Sequence, residues 1–287
     1  MKPSPFDYKR PKTLNDVCNY LSTNPNALIL AGGQSLLPML SMRLSRPSLI
    51  VDVAHVKGFD NIKVTKETIS IGPMVRQSKA LRSSLLKNNI PLLVKALEFV
   101  GHPPTRTRGT IGGSIVQADP SGEIPLVAVT LGATFHIRDG DEKVAILASD
   151  FFLGPMLTSM PSSGCLYKIS FPISKSQKIG NGFHEISARK SDYAFASAAV
   201  QVESDNNGKI ESIKIGIGGA VDYPQLLNIN GYNVHVHGQG IIDLDEATKP
   251  QGTIGIPVDG RTDGKTSSVN NSYVSGSSSS IASLSNI

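Results

Sequence analysis

The chain has 287 residues, 39% hydrophobic and 18% charged, with a formal net charge of +5. Such a length and composition suit a folded protein of two or three substructures, and no apolar run approaches the ~20 residues that cross a bilayer. Scattered Lys and Arg residues, 6% aromatics and no tryptophan lack the interleaved basic stripe of a nucleic-acid binder, while two cysteines, Cys18 and Cys165, are too few for a disulfide framework or an iron–sulfur cluster within the chain.

The first residues, Met1-Lys2-Pro3-Ser4-Pro5, carry no apolar core of a secretory signal, so the expected compartment is the cytoplasm. Leu14, Val17, Cys18 and Leu21 have helical spacing, and the apolar run at 27–30 reads as a strand. A glycine loop, Ala31-Gly32-Gly33-Gln34-Ser35-Leu36, leads from that strand into a second helical pattern at Leu36, Leu37, Leu40 and Leu44; a strand follows at 49–53. Residues 1–58 thus form a small α/β unit. From 59 to 173 the pattern gives a strand at 68–71, one helix over 81–99, a second glycine loop, an apolar helix at 125–131 and strands at 133–137 and 144–147. The second loop is Thr110-Ile111-Gly112-Gly113-Ser114, preceded by Arg106 and Arg108 and followed by Asp119 and Glu123. A third region, 174–230, offers strands at 196–202 and 210–217 around the turn-forming run 204–209.

Strand–glycine loop–helix units present backbone N–H groups to an anion, and glycine there permits positive φ and close approach of phosphate oxygens. Arg106 and Arg108 would supply cations near a pyrophosphate, and Asp119 and Glu123 carboxylates for ribose hydroxyls. No GxGxxG, Walker A loop, HExxH or CxxC occurs in the chain, so the Rossmann fingerprint, the P-loop and the common zinc patterns are not first choices. The six histidines form no ligand cluster and no metal site is expected; His102, beside the second loop, reads as a packing or hydrogen-bonding residue.

Taken in order over about the first 220 residues, AGGQSLLPMLSMRL (31–44), LIVDV (49–53), VGHPPTRTRGTIGGSIVQADPSGEIP (100–125) and EISARKSDYA (185–194) resemble the FAD-binding medium subunits of molybdenum hydroxylases, the group containing aerobic carbon monoxide dehydrogenase, xanthine dehydrogenase and bacterial N-heterocycle hydroxylases such as nicotine dehydrogenase. The resemblance implies an α+β fold: a two-part α/β FAD-binding domain of the PCMH type (1–58 and 59–173), followed by a C-terminal antiparallel sheet with helices. It implies FAD held by Ala31, Gly32, Gly33, Gln34, Ser35 and Leu36 on one side and Thr110, Ile111, Gly112, Gly113 and Ser114 on the other. Ser114 stands where the family often has Asn, and Gln34 where it often has His; both keep a hydrogen-bonding group. Glu123 matches a position holding the sugar portion of FAD, with a solvated carboxylate on the helix dipole as the alternative. Tyr193 matches an aromatic lying against the flavin ring, with a core tyrosine as the alternative. Arg189 and Lys190 read as flavin-facing or surface cations.

No residue of this chain is expected to catalyse the hydroxylation. By resemblance, a large molybdenum-cofactor subunit oxidises a small substrate, an N-heterocycle among the candidates, and a small subunit with two [2Fe-2S] clusters passes the electrons to FAD here, in a heterotrimer that can dimerise. A stand-alone flavin oxidase or reductase and a non-catalytic assembly subunit are the rivals; the first lacks a clear base set, and the intact glycine loops argue against the second.

The resemblance ends near residue 230. Residues 231–287 are a divergent, serine-rich tail, either a flexible extension or the product of a reading-frame shift near 230–237; back-translation of 237–250 read one nucleotide later allows the more helix-compatible TGKELSTLTKQQS. Resequencing the gene or the intact mass of the native subunit separates the two: a mass equal to that of these 287 residues, allowing for loss of Met1, sinks the frame shift and leaves a flexible extension.

Overall fold

The structure is a computed structural model; it describes residues 2–176 and 178–227, and beyond them the backbone of strands at 232–236, 241–246 and 256–257. The chain opens with β1 (Asp7–Lys9), α1 (Leu14–Thr23), β2 (Ala27–Leu30), α2 (Leu36–Ser41) and β3 (Leu49–Asp52), whose strands make a parallel sheet of order β1-β3-β2. The Thr13 hydroxyl accepts the Asp16 N–H and caps α1. That helix lays Val17, Cys18 and Leu21 on the sheet, a stripe set by the 3.6-residue period. β1 had no clear apolar signal; it is pinned by the Tyr8 hydroxyl donating to buried Asp52, which Arg10 also approaches at 3.4 Å.

Next come β4 (Ile62–Val64) and β5 (Thr68–Ile71), then α3 (Gln77–Leu81), α4 (Ser84–Asn89) and α5 (Pro91–Leu97). The single helix expected over 81–99 is therefore broken twice. Ser83 leaves helical geometry to cap α4, its hydroxyl accepting the Leu86 N–H, and Pro91 has no N–H with which to continue from α4, so it starts α5 instead. The chain continues through α6 (Pro103–Arg108), α7 (Ile111–Gln117), α8 (Glu123–Leu131), β6 (Thr134–Asp139), β7 (Glu142–Leu147), α9 (Ala148–Phe151), the hairpin β8 (Phe152–Gly154) and β9 (Leu157–Thr158), and β10 (Cys165–Pro172). The resulting antiparallel sheet has the order β4-β5-β10-β6-β7. Its core is built around α8, apolar on every side and buried from Ile124 through Leu131, as a helix between two layers must be.

The third sheet is antiparallel: β11 (Lys178–Ser187), β12 (Ala194–Ser204), β13 (Ile210–Gly218) and β14 (Gln225–Leu226). The turn-forming run behaves as its chemistry dictates, with the Asp205 carboxylate accepting the N–H groups of Asn207 and Lys209 and Gly208 at φ 86°. Among the described residues of 174–227 there is no helix. The helices that cover this sheet, α5 and α8, come from earlier in the chain. α8 comes so close to β13 that a Cβ on Gly216 would stand 2.1 Å from Thr130 Oγ1 and 2.9 Å from Leu126 Cδ1. Three further strands, β15 (Tyr232–Val236), β16 (Ile241–Glu246) and β17 (Ile256–Pro257), pair antiparallel; the rest of the expectation for the tail falls outside the described residues.

The seam between α8 and β13 should be intolerant of added volume. Gly216→Ala is expected to cost about 1–3 kcal/mol, read as a lowered urea midpoint, and a Gly216→Ala/Thr130→Ala double variant should recover part of the loss because the nearest atom has gone.

Candidate functional site: the cleft between two glycine loops

The first loop turns because Gly33 has φ +72°, a conformation costly for any residue with a Cβ. Its N–H groups then converge. Those of Gly32, Gly33, Gln34, Ser35 and Leu36 have no acceptor among the described residues, so five successive donors stand open where β2 ends and α2 begins.

The second loop is built differently. The Ile111 N–H donates to the Val75 carbonyl at 3.0 Å, Gly112 to Pro73 at 3.0 Å, Gly113 to the Thr110 hydroxyl at 3.0 Å, and Ser114 to the Thr110 carbonyl at 3.2 Å. Four donors expected to face a diphosphate are thus used within the protein, because Thr110 caps α7 and the loop pairs with the segment leading into α3. What this loop offers is the Ser114 hydroxyl and a glycine-smooth wall.

Most of the glycines answer to protein neighbours. A Cβ on Gly32 would stand 2.5 Å from the Arg108 carbonyl oxygen, one on Gly109 2.4 Å from Gln77 Oε1, and one on Gly112 2.4 Å from Pro73 Cβ. The two loops therefore touch backbone to backbone.

Between them lies a cleft of about 700 Å³, within the range of cofactor sites. It is lined by Ala31, Gly32, Gly33, Gln34, Ser35, Leu36, Thr110, Gly112, Gly113, Ser114, Glu123 and Tyr193. Ile111 is not among the lining residues; its side chain is fully buried in the core. Walls that the sequence did not single out come from Phe59, Pro73, Met74 and Met160, apolar residues with no motif around them. Asp192 also lines the cleft, and its only signal was its place beside Tyr193.

The expected cations are elsewhere. Arg106 donates to the carbonyls of Val100 and Gly101 at 2.8 and 2.6 Å, and Arg108 is exposed with its carbonyl held by the Arg76 guanidinium. Among the described residues no lysine or arginine lines the cleft.

Glu123, the first residue of α8, is half-buried rather than solvated. Burial pushes its carboxyl up to about 8, with the Glu185 and Asp119 carboxylates adding to the rise and its own backbone N–H and Arg106 opposing it. Tyr193 is 73% exposed at the rim, which removes the core-tyrosine alternative. It follows a tight turn in which Ser191 has φ 68° and Arg189 pairs with Asp192 at 3.0 Å. The hydrogen bond from Arg189 holds the Asp192 carboxyl below the usual range, and Arg189 is spent there. Lys190 is exposed. The loop before α8 ties the cleft to the third sheet, with Ser121 donating to the Ala194 carbonyl at 2.9 Å and Gly219 N–H to the Pro120 carbonyl at 2.8 Å. Among the described residues no group of three or more His, Cys, Asp or Glu is placed to hold a metal.

Five open N–H groups ahead of a helix make a donor surface for phosphate oxygens, and one cleft that also takes in an exposed aromatic suits a dinucleotide with a flat redox ring: the fold and site are those of a flavoprotein domain. Residues 4–174 match the family described as the FAD binding domain in molybdopterin dehydrogenase. The chain is 34% identical over 221 residues, 77% of each chain, to the nicotine 6-hydroxylase medium subunit of Paenarthrobacter nicotinovorans. It is 28% identical over 218 residues, 76% of this chain and 75% of the relative, to the carbon monoxide dehydrogenase medium chain of Hydrogenophaga pseudoflava. The crystal structure of quinoline 2-oxidoreductase from Pseudomonas putida 86 superposes with TM-score 0.75 at 33% identity, covering 79% of this chain and 78% of that one. The chain belongs to the FAD-binding domain family of molybdopterin dehydrogenases.

Raising the proton affinity of Glu123 in the folded state has a definite sign for stability. Between its unfolded value near 4.5 and its folded value of about 8, the unfolded chain holds fewer protons, so stability falls as pH rises, by at most about 1.4 kcal/mol per unit. In FAD-free chain, Glu123→Gln should raise the melting temperature over wild type at pH 8 and leave it unchanged at pH 4.5.

Proposed function

We propose that this chain is the FAD-carrying medium subunit of a three-subunit molybdenum hydroxylase, receiving electrons from the two [2Fe-2S] clusters of a small subunit and passing them to an external acceptor while a large molybdenum-cofactor subunit hydroxylates an N-heterocycle in the cytoplasm. The observation that carries this reading is the open donor run 32–36 facing the second loop across one cleft. Relatives named for nicotine, caffeine and quinoline support the substrate class.

Bound FAD supplies the redox chemistry, and the protein supplies orientation and electrostatics. The N–H groups of 32–36 would hold the diphosphate, with Ser114 opposite. Gln34 is exposed and its side-chain amide, now weakly bonded at 3.4 Å to the Gly32 carbonyl, is free to turn toward a ligand. Glu123 would meet the sugar portion and Tyr193 the ring at the rim. Asp192, whose carboxylate accepts the Tyr193 N–H at 3.0 Å, orients that residue. The cleft-lining Cys165 is fully buried and burial pushes its thiol far up, so it offers no thiolate for a covalent bond to the flavin.

The isolated chain should carry FAD that acid precipitation releases into the supernatant, and should not oxidise an N-heterocycle until combined with the molybdenum and iron–sulfur subunits. Copurification of all three subunits with one FAD per chain supports the assignment; substrate oxidation by the metal-free chain alone contradicts it.

A further inference from the structure

Among the described residues four buried side-chain polar atoms have no hydrogen-bond partner. Those of Asn181, Glu185 and Ser197 belong to the third sheet and do not line the cleft. The fourth is Oε1 of Gln77, the first residue of α3, and Gln77 lines the cleft while only 5% exposed. A buried amide carbonyl left unpaired is costly to the fold. In the wall of a ligand cleft, the ligand is the donor that can pair with it.

The surroundings hold this amide where it is. The Gln77 backbone N–H donates to the Gly109 carbonyl at 3.0 Å, the Arg76 guanidinium to the Arg108 carbonyl, and the Ile111 N–H to the Val75 carbonyl at 3.0 Å. Residues 75–77 are therefore fixed against the second loop, and the backbone cannot carry the side chain out to water without breaking these bonds. The amide lies against Gly109: a Cβ there would stand 2.7 Å from Gln77 Cδ and 3.0 Å from Nε2, so position 109 leaves room for the amide because it is glycine. Gly109 Cα is in turn 3.0 Å from the place that a Cβ on Gly32 would take. Gly109 thus adjoins both the Gln77 amide and the first of the five open donors of 32–36.

We propose that Gln77 contacts the cofactor, its Oε1 accepting a hydrogen bond from a hydroxyl on one of the two sugar chains that flank the diphosphate of FAD. The proposal rests on FAD occupying the cleft. The polarity of the groups gives the reason. A diphosphate offers only acceptor oxygens, which the N–H groups of 32–36 match and an amide carbonyl repels. On either side of the diphosphate FAD carries hydroxyls, those of the ribityl chain and those of the ribose, and a hydroxyl can donate. The Gln77 carbonyl then gains the partner that the protein does not give it, and relief of its unpaired state favours binding. By the same argument the FAD-free chain is less stable than it would be with an apolar side chain of equal length at position 77.

The test is Gln77→Met in the full chain, which keeps the length of the side chain and removes the acceptor. Its FAD dissociation constant, from flavin fluorescence, should rise roughly three- to tenfold, the loss of one neutral hydrogen bond. The melting temperature of the FAD-free variant should rise above that of FAD-free wild type, because the unpaired carbonyl has gone. These opposite signs separate a ligand contact from a structural one. An unchanged dissociation constant overturns the proposal, as does weaker binding accompanied by a lowered FAD-free melting temperature. FMN and ADP, used as competitors of FAD, tell which sugar is held: weaker FMN binding in the variant assigns the ribityl chain, weaker ADP binding the ribose, and a loss for neither overturns the proposal. Should Gln77→Met not fold, the ¹³Cδ resonance of Gln77 in wild type decides, a downfield shift on FAD binding supporting the contact and an unmoved resonance overturning it. Failure of wild type to bind FAD would refute the cofactor assignment itself, a result distinct from FAD binding that Gln77→Met leaves intact.

Discussion

The architecture of the cleft depends on one backbone contact, that of Gly32 against the Arg108 carbonyl and Gly109. No side chain larger than hydrogen fits there without parting the two loops. The same carbonyl accepts a hydrogen bond from the Arg76 guanidinium. Once this contact is made, α2 and α7 begin on opposite walls of one cavity. The open donors of 32–36 then face the hydroxyl of Ser114 across one cleft.

α8 is the second organising element. Its apolar body fills the core above the five-stranded sheet and packs against Gly216 and Gly218 of the third sheet, while its first residue, Glu123, reaches the cleft. A single helix thus links the core, the C-terminal sheet and the ligand site. The Ser121 and Gly219 hydrogen bonds reinforce the link just ahead of it.

Much of this was legible in residues alone. The apolar run 27–30, the alternation at 68–71 and the hairpin around Asp205–Gly208 have the periods and turn chemistry of the elements they form, and the two glycine loops pointed to one site. The helix breaks at Ser83 and Pro91 were also written in the sequence, but an apolar pattern running through them hid the capping signal. What could not be read were the hydrogen-bond partners. Arg106 looks like a phosphate ligand until Val100 and Gly101 are seen to take its donors. The N–H groups of 111–114 look open until Pro73 and Val75 are folded against them. Glu123 resembles a solvated helix-start acid until the fold half-buries it in the cleft wall. The Pro73 and Val75 carbonyls come from a segment distant in the chain, where local propensity carries no information, whereas Val100 and Gly101 lie only six and five residues from Arg106 but nothing in their residue types marks them as its partners.

The lining of the cleft by neutral donors also governs how it responds to ionic strength. Attraction between separated full charges is screened over a Debye length of roughly 8 Å in physiological salt, and proteins that hold phosphates chiefly with lysine and arginine lose affinity as counterions compete. Here the nearest positive ends are the N–H dipoles of 32–36, which act only at hydrogen-bonding distance, where no mobile ion intervenes. Among the described residues every lysine and arginine lies outside the cleft lining, so added salt weakens the long-range approach of an anionic dinucleotide far more than its retention once seated.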